Sequence, residues 1–293
     1  MKVVIVGGVA GGASAAARMR RLDEKAEIVV FERGEHVSFA NCGLPYHIGG
    51  VIPEREMLLL HTPEALRARF ALDVRIRHEV VGIRRSEKKV TVKNLETGVV
   101  FDEPYDALIL SPGAKPIVPK LPGVQHERVY TLRNIADTDR IRAALAAGAK
   151  RAVVVGGGYI GVEMAENLVA RGLAVTLIEM APQVLTFLDP EMAALAHDEM
   201  RAHGVELLLG ERVVGFEPAA SSRREARVNV EPAASSRREA RVNVEPAASS
   251  RREARVNVEA APLSVTVASG RTLSADLVIL AIGVMPEVGL ARE

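Results

Sequence analysis

Tryptophan is absent, and aromatic residues make up 3% of the 293-residue chain, too few for a broad platform on which nucleic-acid bases could stack. An excess of charge of one sign is lacking as well. The 38 Lys and Arg residues stand against 37 Asp and Glu, a net charge of +1, so there is no global pull toward nucleic acid or an anionic membrane. No apolar run approaches the roughly 20 residues needed to cross a bilayer. The apolar start, Lys2-Val3-Val4-Ile5-Val6-Gly7, reads as a buried strand running into a glycine turn, not as a secretion signal. Cys42 is the only cysteine, so no internal disulfide forms, and a reducing, cytoplasmic setting is expected. His36, His47, His61 and His78 show no metal-ligand spacing with that cysteine, and no metal is expected.

What the chain has is apolar residues (48%) and 24 glycines, a composition that suits an α/β protein of about two domains. Residues 2–6 predict a strand, Gly11 to about Leu22 an Ala-rich helix, and Glu27 to Glu32 a second strand, together one βαβ unit. A second unit begins at Arg151, with a strand over Ala152–Val155, a helix from about Tyr159 to Arg171 and a strand over Ala174–Glu179. Two such units so far apart predict two dinucleotide-binding folds. Alternating segments at residues 89–92, 107–110 and 263–267, with another at 276–280, predict small β-meanders around them. Between residues 217 and 258 a 14-residue unit starting at Glu217, Glu231 and Glu245 occurs three times without a change. It is too short and too polar to stack as a solenoid. Surface excursions inside a hairpin loop are expected there, and the Glu residues that interrupt the Arg in every copy argue against a basic arm.

The chemistry concentrates at two glycine turns. Gly7-Gly8-Val9-Ala10-Gly11-Gly12 lies between strand and helix, where close backbone approach and the free N–H groups of a helix start receive a pyrophosphate. Glu32, 20 residues beyond Gly12, ends the next strand, where a carboxylate accepts ribose hydroxyls. Val9 departs from the usual G-x-G-x-x-G fingerprint. Gly156-Gly157-Gly158-Tyr159-Ile160-Gly161 matches it fully, and Glu179 follows at its strand end. A carboxylate there repels a 2′-phosphate, and Met180 and Ala181 follow it with no Arg, which favours NADH over NADPH. A lone cysteine is often only a small buried hydrophobe. Cys42, however, has polar, turn-forming neighbours, and Asn41 is placed to cap a short helix opening at Cys42 or Gly43, where thiolate is favoured. With no second cysteine nearby, its oxidised form is a sulfenic acid or a mixed disulfide with a small thiol.

The stretch Ser38-Phe39-Ala40-Asn41-Cys42-Gly43-Leu44-Pro45-Tyr46-His47-Ile48-Gly49 resembles the motif of the coenzyme A-disulfide reductase and NADH oxidase branch of the pyridine nucleotide-disulfide oxidoreductases, and the resemblance extends over the chain outside the triplicated insert. Residues 110–116 and 281–286 resemble that family's two crossover segments, and Val9 is typical of the branch. The resemblance implies an α/β fold of two Rossmann-like domains with β-meander insertions: an FAD-binding domain over 1–115, an NADH-binding domain over 116–282 inserted into it, and a return to the first over 283–293. It implies electron flow from NADH through FAD to a mixed disulfide on Cys42. Flavin or nicotinamide contacts are implied at Arg33, Asn41, Val80, Ser111, Pro112, Gly113, Glu163, Met180, Ile282 and Gly283 besides the glycine turns. Substrate contacts are implied at Ser14, Arg18, Arg21, Ser38 and Asn41; Arg18 and Arg21 share a helix face that suits phosphates, or else form an ordinary solvated face with Arg20. The substrate is expected to be coenzyme A disulfide, or another small disulfide or persulfide. Ala10 stands where the peroxidase side of the family has His, which tilts the reading away from peroxide. An NADH oxidase reducing oxygen and an inactive nucleotide-binding remnant are the alternatives. Family members continue with a flavin-binding segment and a dimerisation domain, so a truncated chain is expected, with homodimer formation and flavin retention in doubt.

Overall fold

The computed structural model describes residues 1–219 and 262–292. The chain begins with β1 (Lys2–Val6), α1 (Gly11–Leu22) and β2 (Glu27–Glu32). A 3-10 turn over Asn41–Gly43 leads into α2 (Leu44–Gly49), and α3 (Pro63–Phe70) follows. Next come β3 (Asp73–Ile76), β4 (His78–Arg84), β5 (Lys89–Asn94), β6 (Val100–Pro104) and β7 (Ala107–Leu110). Strands β3-β2-β1-β7 form one parallel sheet, and β4-β5-β6 form an antiparallel meander beside it. Val3, Val4 and Ile5 are fully buried, as a strand covered on both faces requires. Each such side chain contributes about 1.5–3 kcal/mol on burial.

After β8 (Ala114–Pro116) the chain builds a second parallel sheet from β9 (Val129–Thr131), β10 (Arg151–Val155), β11 (Ala174–Glu179) and β12 (Val205–Leu209). Helices α4 (Ile135–Ala146), α5 (Tyr159–Ala170) and α6 (Pro190–Ala202) connect them. The hairpin of β13 (Val213–Pro218) and β14 (Leu263–Val267) continues into β15 (Thr272–Ala275) as a second meander. Strand β16 (Leu277–Leu280) then returns to the sheet, giving the order β12-β11-β10-β16-β9. The triplicated segment thus departs from one hairpin strand at Glu217 and Pro218, which pair with Ser264 and Leu263; its residues from Ala220 on, and the surface excursions expected of them, lie outside the described residues. Strand β17 (Val284–Pro286) pairs antiparallel with β8, and α7 (Gly289–Arg292) reaches back to β4, with Leu290 against the core of the first unit. The architecture is α/β, two Rossmann-like units with the second inserted into the first.

The join between the units is apolar. Leu44 and Ile48 of α2, with Leu58, belong to the same buried cluster as Met164 and Leu168 of α5, Ile141 of α4 and Ile279 of β16. The approach of α2 to α5 is so close that a Cβ on Gly49 would overlap the Asn167 side-chain oxygen. At the other end of the interface Arg55 grips the carboxylate of Asp139 on α4 with Nε and Nη2, at 2.9–3.1 Å. Arg142 of α4 donates to the carbonyl of buried His47 at 2.8 Å. The segment that carries Cys42 is therefore seated on the helices of the second unit.

Among the described residues, no helix is long and apolar enough to cross a membrane, and no group of three or more His, Cys, Asp or Glu is placed to hold a metal ion.

Candidate active site

The first glycine turn is shaped by its neighbours. Gly7 has φ +92°, where a side chain is strained, and a Cβ there would overlap the Ser111 carbonyl oxygen; a Cβ on Gly12 would overlap that of Gly7. The Gly8 N–H donates to Glu32 Oε2 at 2.8 Å, and the Gly34 N–H donates to Oε1 at 2.7 Å. Glu32 is 9% exposed. Each of its oxygens keeps one acceptor site beyond these bonds. Helix α1 starts with no side-chain cap, so its first N–H groups have no side-chain acceptor.

Two cavities meet at this turn and share Gly7, Glu32, Arg33 and Pro112 on their walls. The larger, of about 400 Å3, is lined by Val9, Ala10, Gly11, Asn41, Ser111 and Gly113 on one side and by Arg55, Arg133, Asn134 and Asp139 on the other. The smaller, of about 360 Å3, runs past Phe31, His78, Glu79 and Val80 to Glu287 and Leu290. Together they make a trough bent around a buried carboxylate. Asn41 Oδ1 is buried in its wall with no hydrogen-bond partner among the protein atoms. An unpaired buried acceptor costs about 1–3 kcal/mol, and a ligand donor would remove that cost. The glycine cradle, the carboxylate and this orphaned oxygen fit a dinucleotide such as FAD.

The second glycine turn repeats the first. Gly156 has φ +107°, and a Cβ on Gly161 would overlap the Gly156 carbonyl oxygen. The Gly157 N–H donates to Glu179 Oε2 at 2.5 Å, and the Ala181 N–H donates to Oε1 at 2.8 Å. Gly158 precedes α5, which also starts without a side-chain cap. Tyr159 stacks on Phe187 with ring centroids 4.6 Å apart, and Met180 beyond the carboxylate is 70% exposed. Ile160 and Glu163 lie in the first turns of α5, while Ile282 and Gly283 lead from β16 into β17.

Cys42 is exposed and sits in the 3-10 turn before α2. Contrary to the expectation for Asn41, no side chain caps this turn, and α2 opens at Leu44 with Gly43 before it. The reason is Pro45, whose fixed φ suits a first helical turn and sets the start beyond Asn41. Asn41 points instead into the cavity wall. Tyr46, one turn on, links the thiol to the second unit. Its hydroxyl pKa is raised by the charge of Glu163 first, then by burial, Glu166 and Cys42. The Glu163 carboxyl is itself pushed above the ordinary carboxylate range by burial and by Glu166.

Ser14, Arg18 and Arg21 are exposed, at spacings that put them on one face of α1. Arg20 is different in kind: it donates to the carbonyls of Phe70, Asp23, Glu24 and Ala71 and ties the end of α1 to α3. Ser38 adopts φ +49°, with its N–H on the Gly8 carbonyl at 3.2 Å and its carbonyl receiving Leu60 N–H at 3.0 Å. The first glycine turn, Glu32, Arg33, Val80, Asn41 and residues 111–113 are thus brought together around the two cavities, while the second glycine turn with Glu179 forms its own cluster on the second unit. Cys42 is adjacent to them through Asn41, and the α1 residues lie apart on the surface. Sequence reasoning missed Arg55, Arg133 and Asp139 on the cavity wall. Arg133 Nε donates to the Ala114 carbonyl at 2.8 Å, beside the crossover. None of the three stands in a motif, and only the docking of the two units makes them neighbours.

A model of the pyridine nucleotide-disulphide oxidoreductase family matches residues 1–293. The coenzyme A disulfide reductase of Staphylococcus haemolyticus is 42% identical over 217 residues, 74% of this chain and 49% of that protein. Among solved structures, a reduced Bacillus anthracis CoADR-RHD is 46% identical, with a TM-score of 0.82 over 99% of this chain and 45% of its own. An NAD-dependent persulfide reductase from A. fulgidus is 30% identical, with a TM-score of 0.83 over 100% of this chain and 47% of its own. The chain spans about half the length of the curated relatives it matches. Two uncapped glycine turns, each hooked by a carboxylate, and a thiol turn whose Asn41 lines the first turn's cavity agree with the family match: the chain belongs to the pyridine nucleotide-disulphide oxidoreductases.

Proposed function

We propose that this chain passes electrons from NADH, through FAD held in the trough around Glu32, to a small disulfide bound at Cys42, with coenzyme A disulfide or a related persulfide as the substrate. The observation that carries the reading is the placement of an exposed thiol on a turn whose preceding residue, Asn41, lines that trough. The names of the relatives, a coenzyme A disulfide reductase and an NAD-dependent persulfide reductase, support the choice of substrate and of donor. The proposed division is an FAD-binding part over 1–115 and 283–293 and an NADH-binding part over 116–282.

In this reading Glu32 accepts the ribose hydroxyls of FAD and the N terminus of α1 receives its pyrophosphate, with Arg33 and Val80 on the adenosine side and Ser111–Gly113 on the other. Glu179 plays the ribose role for NADH and repels the extra phosphate of NADPH. The flavin, when bound, supplies a two-electron relay between nicotinamide and sulfur. The Cys42 thiolate attacks one sulfur of the substrate, whose S–S bond breaks and releases one thiol, leaving a mixed disulfide on Cys42. Two electrons originating in NADH then cleave that bond, and protonation releases the second thiol. The net change is RSSR + NADH + H+ to 2 RSH + NAD+. Arg18 and Arg21, exposed on one face of α1 and without the bonds that hold Arg20 among the described residues, receive the substrate's phosphates.

The test is Cys42→Ser with coenzyme A disulfide and NADH. Loss of thiol release with nucleotide binding intact is expected. Retained turnover contradicts the role of Cys42, rapid oxygen uptake independent of disulfide favours the oxidase reading, and NADH binding without flavin marks a remnant.

A further inference from the structure

His197 lies in the middle of α6, outside both glycine turns and outside every motif in the chain. Its Nε2 accepts the backbone N–H of Val184 at 3.1 Å. The loop that it holds, residues 180–189, closes against the second glycine turn. The Leu185 N–H donates to the Gly157 carbonyl at 2.8 Å, and fully buried Val184 packs so tightly that a Cβ on Gly157 would lie 2.9 Å from its Cγ1. Phe187 of the same loop stacks on Tyr159. Leu185 takes φ +50°, a conformation that costs a non-glycine residue energy and persists only where neighbours hold it. The Gly157 peptide is thus gripped on both sides, its N–H by Glu179 and its carbonyl by a loop whose anchor is an imidazole.

We propose that His197 is a positioning residue for the nucleotide at the second glycine turn, acting as a neutral hydrogen-bond acceptor that fixes the 180–189 loop and gives nucleotide affinity a dependence on pH. The inference rests on the reading of that turn as the NADH site. An acceptor nitrogen has its proton on Nδ1; protonation of Nε2 would set an N–H against the Val184 N–H and break the contact. The charges that act on the ring are Arg201 and Asp198, both on its own helix. The facing loop brings Gln183, whose amide is spent on the Leu188 carbonyl, and Asp189 at the start of α6; neighbouring β12 brings Glu206, which is bound to Arg271 and Thr176. Burial, and then Arg201, hold the imidazole pKa below its ordinary value. The sign follows: the neutral form is the one the fold favours, so the contact is complete above the ordinary imidazole range and is lost as pH falls through the lowered value.

The experiment titrates the full chain with NAD+, which survives acid, by calorimetry from about pH 8 to about pH 5. It does so for the wild type, His197→Gln and His197→Leu. Gln offers an amide oxygen at similar reach but does not titrate. The wild type is expected to bind about fivefold more weakly at the acid end, the effect of losing one hydrogen bond. His197→Gln should keep the neutral-pH affinity with a flat profile, and His197→Leu should be about fivefold weaker at every pH. Wild-type affinity and pH profile in His197→Leu, or an unchanged pH profile in His197→Gln, would overturn the proposal. Hydrogen exchange at the Val184 amide in the nucleotide-free chain gives an independent readout: protection at neutral pH that falls in acid supports the proposal, and pH-independent protection beyond the intrinsic exchange rate contradicts it. If the wild type fails to bind NAD+ at neutral pH, the assignment of the NADH site fails, while the exchange result still decides the role of His197 in holding the loop.

Discussion

At the scale of single residues, the glycines of one turn are not equivalent. A methyl on Gly161 would overlap the Gly156 carbonyl oxygen, whereas one on Gly158 meets nothing within 4 Å. Gly161→Ala is therefore expected to weaken NADH binding at least about tenfold, with a stability loss of about 1–3 kcal/mol, and Gly158→Ala to have little effect on stability. Fluorescence titration with NADH and thermal unfolding check both, and similar outcomes for the two variants would contradict the geometry. Glu163 yields a prediction with a definite sign. Its carboxyl pKa is raised by burial and by Glu166, so the fold favours the protonated form and loses stability as pH rises from the ordinary carboxylate range through the raised value. Glu163→Gln removes that cost, so its Tm should exceed that of the wild type at neutral pH and converge with it below about pH 4. Much of this scale was legible in the sequence, because a glycine fingerprint and a carboxylate at the next strand end are local features. The partners of Glu32 and Glu179, the amides of Gly8, Gly34, Gly157 and Ala181, were not, since a backbone N–H leaves no mark in a sequence.

At the scale of elements, α2 decides how the thiol meets the rest of the molecule. Ile48 is buried in the cluster shared with α4 and α5, so Ile48→Ala should cost about 2–5 kcal/mol. The ion pair of Arg55 with Asp139 crosses the same boundary, but its side chains are 36% and 42% exposed, so Asp139→Asn should cost no more than about 1 kcal/mol. Urea unfolding of the two variants separates an apolar join from an ionic one; a larger loss in Asp139→Asn would reverse the account. The strands and helices of both βαβ units follow from continuous buried Val and Ile runs bounded by glycine. Helices α3, α4 and α6 carry no glycine fingerprint, and their faces become distinct only against the sheets they cover. For that reason Asp139 and His197 stayed invisible. Asn41 is a good cap by residue type, but Pro45 imposes the stronger local constraint and α2 starts at Leu44.

For the whole molecule, two Rossmann-like units repeat one device, a glycine amide hooked by the carboxylate of the following strand, and the turn that carries the lone cysteine leads into a short helix seated on the second unit. Residues 38–49, which carry the most specific motif of the sequence, form one part of the boundary where the units meet, beside Leu58 and the Arg55–Asp139 pair. That arrangement makes the central claim one of communication between sites rather than of either site alone. The direct measurement is the visible absorption spectrum of the FAD-loaded chain during anaerobic titration with NADH. Bleaching of the flavin band, followed by recovery of the band on addition of coenzyme A disulfide in the wild type but not in Cys42→Ser, is the predicted result. A chain that binds NADH yet holds no flavin, or holds flavin that NADH leaves oxidised, would contradict it.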